Sequence, residues 1–197
     1  MIQINKAYDR VFVALKLPNN VLRQIHLINN YLDNKIIRKV KLNNLHMTLY
    51  FLGHVNSCQI ELLKLQLIDN LKQCLPFVLS LSTVGVFTQT KNTKILWLEV
   101  KGNIGKLAYM QSEISKVVGG LNLGVKRVKF KPHITLGRIK NGDDVKQNEV
   151  FSQNIKLIEK AILETPPFEV KSVVIINSVP SKNGHQYNEI QTICLKP

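Results

Sequence analysis

Apolar residues recur along the chain at alternating two-residue and helical spacings, and these outline its elements. Arg10 to Leu17 is dense in β-formers and is closed by Pro18-Asn19-Asn20, which predicts a strand and a turn. Val21, Leu22, Ile25, Ile28 and Leu32 then share one broad face, predicting a helix over about 21–32. Ile36 to Leu42 reads as a strand broken by Asn43-Asn44. A second helix is expected from an N-cap at Ser57 to about Cys74, through Ile60, Leu63, Leu67 and Leu71, with Pro76 ending it. Val78 to Phe87 and Lys94 to Val100 predict a hairpin joined by polar residues 88–93, with Trp97 expected in the core. Asn103 is placed to cap a third helix to about Val118, stopped by Gly119-Gly120. After a basic, strand-like run over 125–131 and a turn at 141–144, a helix is expected over about 145–163. Val170 to Ile176 and Tyr187 to Leu195 close the chain as strands around a Pro180 to Gly184 turn.

One pattern occurs twice. In His46-Met47-Thr48-Leu49-Tyr50-Phe51-Leu52-Gly53, alternation puts His46, Thr48 and Tyr50 on one face and Met47, Leu49 and Phe51 on the other. His133-Ile134-Thr135-Leu136 repeats the His-x-Thr-Leu string, and His133 and Thr135 again share a face. Strand, helix and motif strand therefore recur in the same order. That order predicts two related α+β lobes packed into one unit, with the motif strands facing each other across a groove. His26 is expected on the surface, and His185 in or beside the closing turn.

Composition narrows the class. With 197 residues and 45% hydrophobic content, the chain supports a real core, read as a single domain over 1–197. No apolar run approaches the roughly 20 residues that cross a bilayer, and residues 1–6 lack a signal peptide's apolar stretch, so a cytoplasmic protein without membrane attachment is expected. Cys58, Cys74 and Cys194 are odd in number and widely spaced, which fits reduced, partly buried thiols. A formal charge of +14, from 27 Lys+Arg against 13 Asp+Glu, points toward polyanionic partners, nucleic acid foremost.

Two histidines across a groove form an acid/base pair, because imidazole titrates near neutrality and one ring can hold a proton while the other lacks it. Each threonine hydroxyl, pointing the same way two residues on, can donate to an anionic oxygen between them. A phosphodiester suits this set. No HExxH, acidic cluster or Cys pair offers a metal site, and no GxSxG elbow offers a serine nucleophile, so neither metal nor cofactor is expected.

With these residues in view, the sequence resembles the two-histidine phosphoesterase superfamily, and most closely the RNA 2',3'-cyclic phosphodiesterase family, historically described as 2'-5' RNA ligase. The resemblance runs through Arg10 to Ala14, Asn44 to Gly53, Gly85 to Phe87 with Leu96 to Leu98, Lys131 to Arg138, and Ser178 with Gly184 and Tyr187. It implies an α+β, bilobal fold of two pseudo-symmetric antiparallel-sheet lobes with flanking helices and a central groove. It also implies metal-independent opening of a terminal 2',3'-cyclic phosphate on RNA to a 2'-phosphate. A monomer is expected. His46 would be the proton donor to the leaving 3' oxygen and His133 the proton acceptor from water; with the substrate turned round, the labels exchange. Thr48 and Thr135 would bind phosphate, Arg138 would sit near it, and Phe51 would lie near the nucleobase. Strict alternation puts Phe51 and Arg138 on the face away from the histidines, so these two roles require a bulge or twist. Small nucleotide cyclic phosphates or 2'-5' linked oligonucleotides are alternative substrates, and a non-catalytic RNA-binding module is the alternative from another class.

Overall fold

The run Arg10 to Leu17 forms β1 (Asp9–Lys16), whose alternation divides it between two environments. Val11, Val13 and Leu15 enter the main core, whereas Phe12 and Ala14 join Val174, Ile176 and Tyr187 in a separate apolar cluster on the opposite face. In this computed structural model, which describes residues 8–90, 93–123, 129–139, 149–182 and 184–196, there follow α1 (Asn19–Ile28), β2 (Ile37–Lys39), β3 (His46–Val55), α2 (Ser57–Asn70), β4 (Phe77–Thr90) and β5 (Thr93–Gly102). The chain continues through α3 (Ile104–Gly120), β6 (His133–Ile139), α4 (Glu149–Leu163), β7 (Phe168–Val170), β8 (Ser172–Ser181) and β9 (Gly184–Cys194).

The strands form two antiparallel sheets, ordered β3-β1-β8-β9 and β2-β6-β5-β4-β7. Each motif strand pairs with the strand before its helix, β3 with β1 across α1 and β6 with β5 across α3. The two motif strands approach each other where the sheets meet. This is the expected bilobal α+β arrangement, with one feature that local patterns do not reveal. β8 and β9 return from the C-terminal end to complete the first sheet, while β2 crosses over to cover the outer edge of β6. Neither sheet is built from a contiguous segment.

Met47, Leu49, Ile134 and Leu136 are at most 3% exposed and anchor the motif strands in a core shared with α1, α2, α3 and α4. Burying each such side chain stabilises the fold by about 1.5–3 kcal/mol. The opposite faces are thereby left for the groove.

Several local expectations shift. α1 tightens into a 3-10 turn at Asn29–Tyr31, and Leu42–Asn44 is a 3-10 turn rather than the end of a strand. The N-cap of α2 is Asn56, not Ser57: Asn56 Oδ1 accepts the Gln59 N–H at 3.0 Å and Gln59 Oε1 accepts the Asn56 N–H at 2.9 Å, a reciprocal capping box. Asn103 stands at the N-cap of α3 as expected, but its Oδ1 accepts the N–H of Val78 at the start of β4 instead of a helix N–H. β8 runs through Pro180 to Ser181, shortening the closing turn. Cys74 is buried, but Cys58 and Cys194 are exposed; all three are free thiols. Part of the run expected over 125–131, the turn over 141–144, the start of the helix from Val145, and Lys91 and Asn92 of the hairpin connection lie outside the described residues. Among the described residues, no helix is long and apolar enough to cross a membrane.

Candidate active site

Each motif histidine is held the same way. His46 Nδ1–H donates to the carbonyl of Asn44 at 2.6 Å, and His133 Nδ1–H donates to the carbonyl of Lys131 at 2.7 Å. A carbonyl only accepts, so Nδ1 carries a hydrogen in both rings and Nε2 is the nitrogen that gains or loses a proton. His46 Nε2 lies 3.0 Å from Thr48 Oγ1, so the hydroxyl stands beside the nitrogen that exchanges its proton. Thr135 occupies the corresponding position beside His133 on β6.

Aromatic edges complete the two cradles. His46 stands against Phe12 of β1, with ring centres 4.9 Å apart, and edge-on to Tyr187 of β9 at 5.3 Å. His133 stands edge-on to Phe87 of β4 at 5.6 Å and to Trp97 of β5 at 6.1 Å. Gly85 makes room for this, since a Cβ there would lie 2.5 Å from the Trp97 ring. Trp97 therefore borders the site instead of filling the core. Burial pushes the His46 imidazolium below the ordinary histidine range; its bond to Asn44 opposes this, and the nearby charge of His133 adds to it. The last effect couples the two motifs electrically.

Both motif strands carry a one-residue bulge at the same place. The pairing passes from Ala14↔Thr48 to Val13↔Tyr50, leaving Leu49 over, and from Trp97↔Thr135 to Leu96↔Gly137, leaving Leu136 over. The bulge reverses the alternation beyond it. Tyr50, expected beside His46, instead packs on the core. Phe51, 58% exposed, takes the groove face, with its ring 5.7 Å from Phe12. Arg138 is likewise exposed on the groove face, and its charge, with that of Arg10, opposes the upward push of burial on the Tyr187 phenol. Arg138 of the second motif thus acts on the aromatic ring that touches the first motif's histidine.

His46, Thr48, Phe51, His133, Thr135 and Arg138 accordingly share the groove, while His26 and His54 are exposed elsewhere. Sequence patterns missed Phe12, Phe87, Tyr187 and Asn44 as parts of the site. Asn44 also donates through Nδ2 to the backbone carbonyl of His185, whose Nδ1 lies 2.9 Å from the nearly buried Ser178 hydroxyl. The closing hairpin is thereby tied to the residue that clamps His46. Among the described residues, no three His, Cys, Asp or Glu side chains converge as a metal site.

Two antiparallel lobes that each bring a His-x-Thr strand to one groove define a two-histidine class of protein. The chain belongs to the 2'-5' RNA ligase superfamily, whose family model matches residues 29–179. It is 30% identical to the RNA 2',3'-cyclic phosphodiesterase of Aquifex aeolicus, over 94% of this chain and 97% of that one. The protein of the same name from Methanocaldococcus jannaschii is 28% identical, over 92% and 98%. In fold it is similar to E. coli LigT in apo form, with TM-score 0.74 and 20% identity over 96% of this chain and 99% of LigT. E. coli LigT complexed with 3'-AMP gives TM-score 0.73, at 20% identity over 97% of this chain and all of LigT.

Proposed function

We propose that this chain, as one bilobal domain over 1–197, is a monomeric, metal-independent RNA 2',3'-cyclic phosphodiesterase of the cytoplasm that hydrolyses a terminal 2',3'-cyclic phosphate to a 2'-phosphate. The observation that carries the reading is the repeated clamp: each motif histidine is held through Nδ1 by the carbonyl two residues before it, leaving Nε2 for proton transfer. The names of the Aquifex and Methanocaldococcus relatives point to the same substrate class, and LigT, of the same fold, forms a complex with a nucleoside monophosphate, 3'-AMP. The +14 charge favours capture of an RNA end, and the free thiols suit a reducing compartment.

In this reaction His133 Nε2 takes a proton from water as its oxygen attacks phosphorus. The bond to the 3' oxygen breaks in line, His46 Nε2–H protonates that oxygen, and the 2' ester remains. Thr48 and Thr135 donate to the non-bridging oxygens, Arg138 offsets their charge, and Phe51 stacks on the terminal base. In the free protein burial favours neutral His46. The anionic phosphate favours its protonated form, so substrate binding loads the acid. Incubation with a cyclic-phosphate-ended oligonucleotide in EDTA tests the assignment. Undiminished turnover is expected; no turnover, or turnover abolished by the chelator, would contradict it.

A further inference from the structure

A cavity of about 360 Å³ is lined by His46 and by Asn44 and Leu45 just before it, but not by Phe51 farther along β3. It lies over the apolar cluster of the first sheet. Val174 and Ile176 form its floor, Leu22 of α1 and Leu42 form walls, and His46 and Tyr187 stand at one end. Its rim is polar, with the side chains of Asn19 and Asn43 and the Lys16–Glu189 ion pair. Lys16 is the direct cross-strand neighbour of His46, so a cation marks the boundary between the catalytic ring and this cavity.

These features define a nucleotide-shaped environment. An apolar floor suits the face of a base, amides on the rim can pair with its edge, and a lysine at the mouth suits a phosphate link. We infer that this cavity binds the nucleotide immediately 5' of the one bearing the cyclic phosphate, so that the protein engages RNA ends of at least two nucleotides. The inference rests on the reading above, in which the terminal base lies against Phe51. Along β3, Phe51 follows His46 by five residues, whereas Asn44 and Leu45, just before His46, line the cavity. A strand whose terminal base lies on one side of His46 reaches the cavity on the other, and its linking phosphate passes Lys16, displacing Glu189 from it.

The test compares an adenosine 2',3'-cyclic phosphate mononucleotide with a dinucleotide and a hexanucleotide carrying the same cyclic end. For the unaltered protein, KM for the dinucleotide should be roughly tenfold or more below that for the mononucleotide, with little further gain at six nucleotides. Leu22→Trp, which fills the cavity, should raise KM for the longer substrates to the mononucleotide value while leaving mononucleotide kcat/KM within about twofold. Asn19→Ala at the rim should give a smaller change in the same direction, and serves if the filled variant does not fold. Equal KM for mono- and dinucleotide, or filling without effect on the dinucleotide, would overturn the inference. Equal loss on all substrates would also overturn it, placing the terminal base itself in the cavity. Absence of turnover on every substrate by the unaltered protein would instead defeat the phosphodiesterase reading.

Discussion

The two motif strands begin alike and part after their shared leucine. Tyr50 follows Leu49 and packs on the core, whereas Gly137 follows Leu136 and lies beneath β2. A Cβ on Gly137 would come within 2.6 Å of Ile37 Cγ2 and 2.9 Å of the Arg38 carbonyl. That constraint exists because β6 is covered by a fifth strand while β3 ends its sheet. At the next position the first half presents Phe51 beside Phe12, and the second presents Arg138 with Arg38 directly opposite it on β2. The clamp and bulge are common to both halves and carry the proposed proton transfer. The sheet edge sets what else each half presents, an aromatic surface in one and a pair of guanidinium groups in the other.

The largest effect should come from removing the part that the halves share. His46→Ala and His133→Ala should each lower kcat on a cyclic-phosphate-ended oligonucleotide by roughly 10²–10⁴-fold. The double variant should lose little more than either, since the pair works as a unit. One histidine proving dispensable would dissolve the idea of a single site. The differing positions come next. Arg138→Ala should lower kcat/KM by roughly 10–100-fold, as expected for loss of a charged hydrogen bond to phosphate, and should flatten its salt dependence. Phe51→Ala should act mainly on KM, raising it by roughly 5–100-fold with kcat nearly unchanged. If the two substitutions gave the same kinetic signature, the division of labour between the halves would be wrong.

Stability separates the halves as well. Gly137→Ala should cost about 1–3 kcal/mol in denaturant unfolding, because backbone and side chain of β2 must shift to admit the methyl group. An unchanged midpoint would mean that β2 is not seated on β6.

The smallest effect concerns pH. Burial disfavours the charged form of His46, so its pKa lies below the ordinary histidine value, and the charge of His133 lowers it further. An acid acts in its protonated form, so the limb of kcat/KM assigned to His46 should fall as pH rises through that lowered pKa. His133→Gln removes the neighbouring charge and should raise the His46 pKa, as followed by NMR titration of the ring protons. No movement would mean that the rings do not sense each other.

How much of this could be read from the sequence depends on the distance over which each feature is determined. The pairing of strand, helix and motif strand was legible because apolar spacing is local, and so was the shared face of His46 with Thr48 and of His133 with Thr135. The exchange of Tyr50 for Phe51 on the groove face was not, because a bulge belongs to the pairing of two strands and only β1 reveals it. Even so, strict alternation had already made a bulge the condition for any role of Phe51 or Arg138. The aromatic cradles escaped for a similar reason. Phe12, Phe87, Trp97 and Tyr187 come from four strands, and two of these strands reach their histidine only through the sheet order. Asn56 displaced Ser57 as the cap of α2 because the reciprocal bond with Gln59 satisfies two backbone groups at once.

The position of phosphate on a product formed in EDTA reports which oxygen leaves and whether a metal ion is needed. An oligonucleotide ending in a 2',3'-cyclic phosphate, turned over in EDTA and read by phosphorus NMR, should yield the 2'-phosphate alone, because the proposed reaction has His46 protonate the 3' oxygen. A 3'-phosphate product, or a reaction that stops when divalent ions are chelated, would contradict the account.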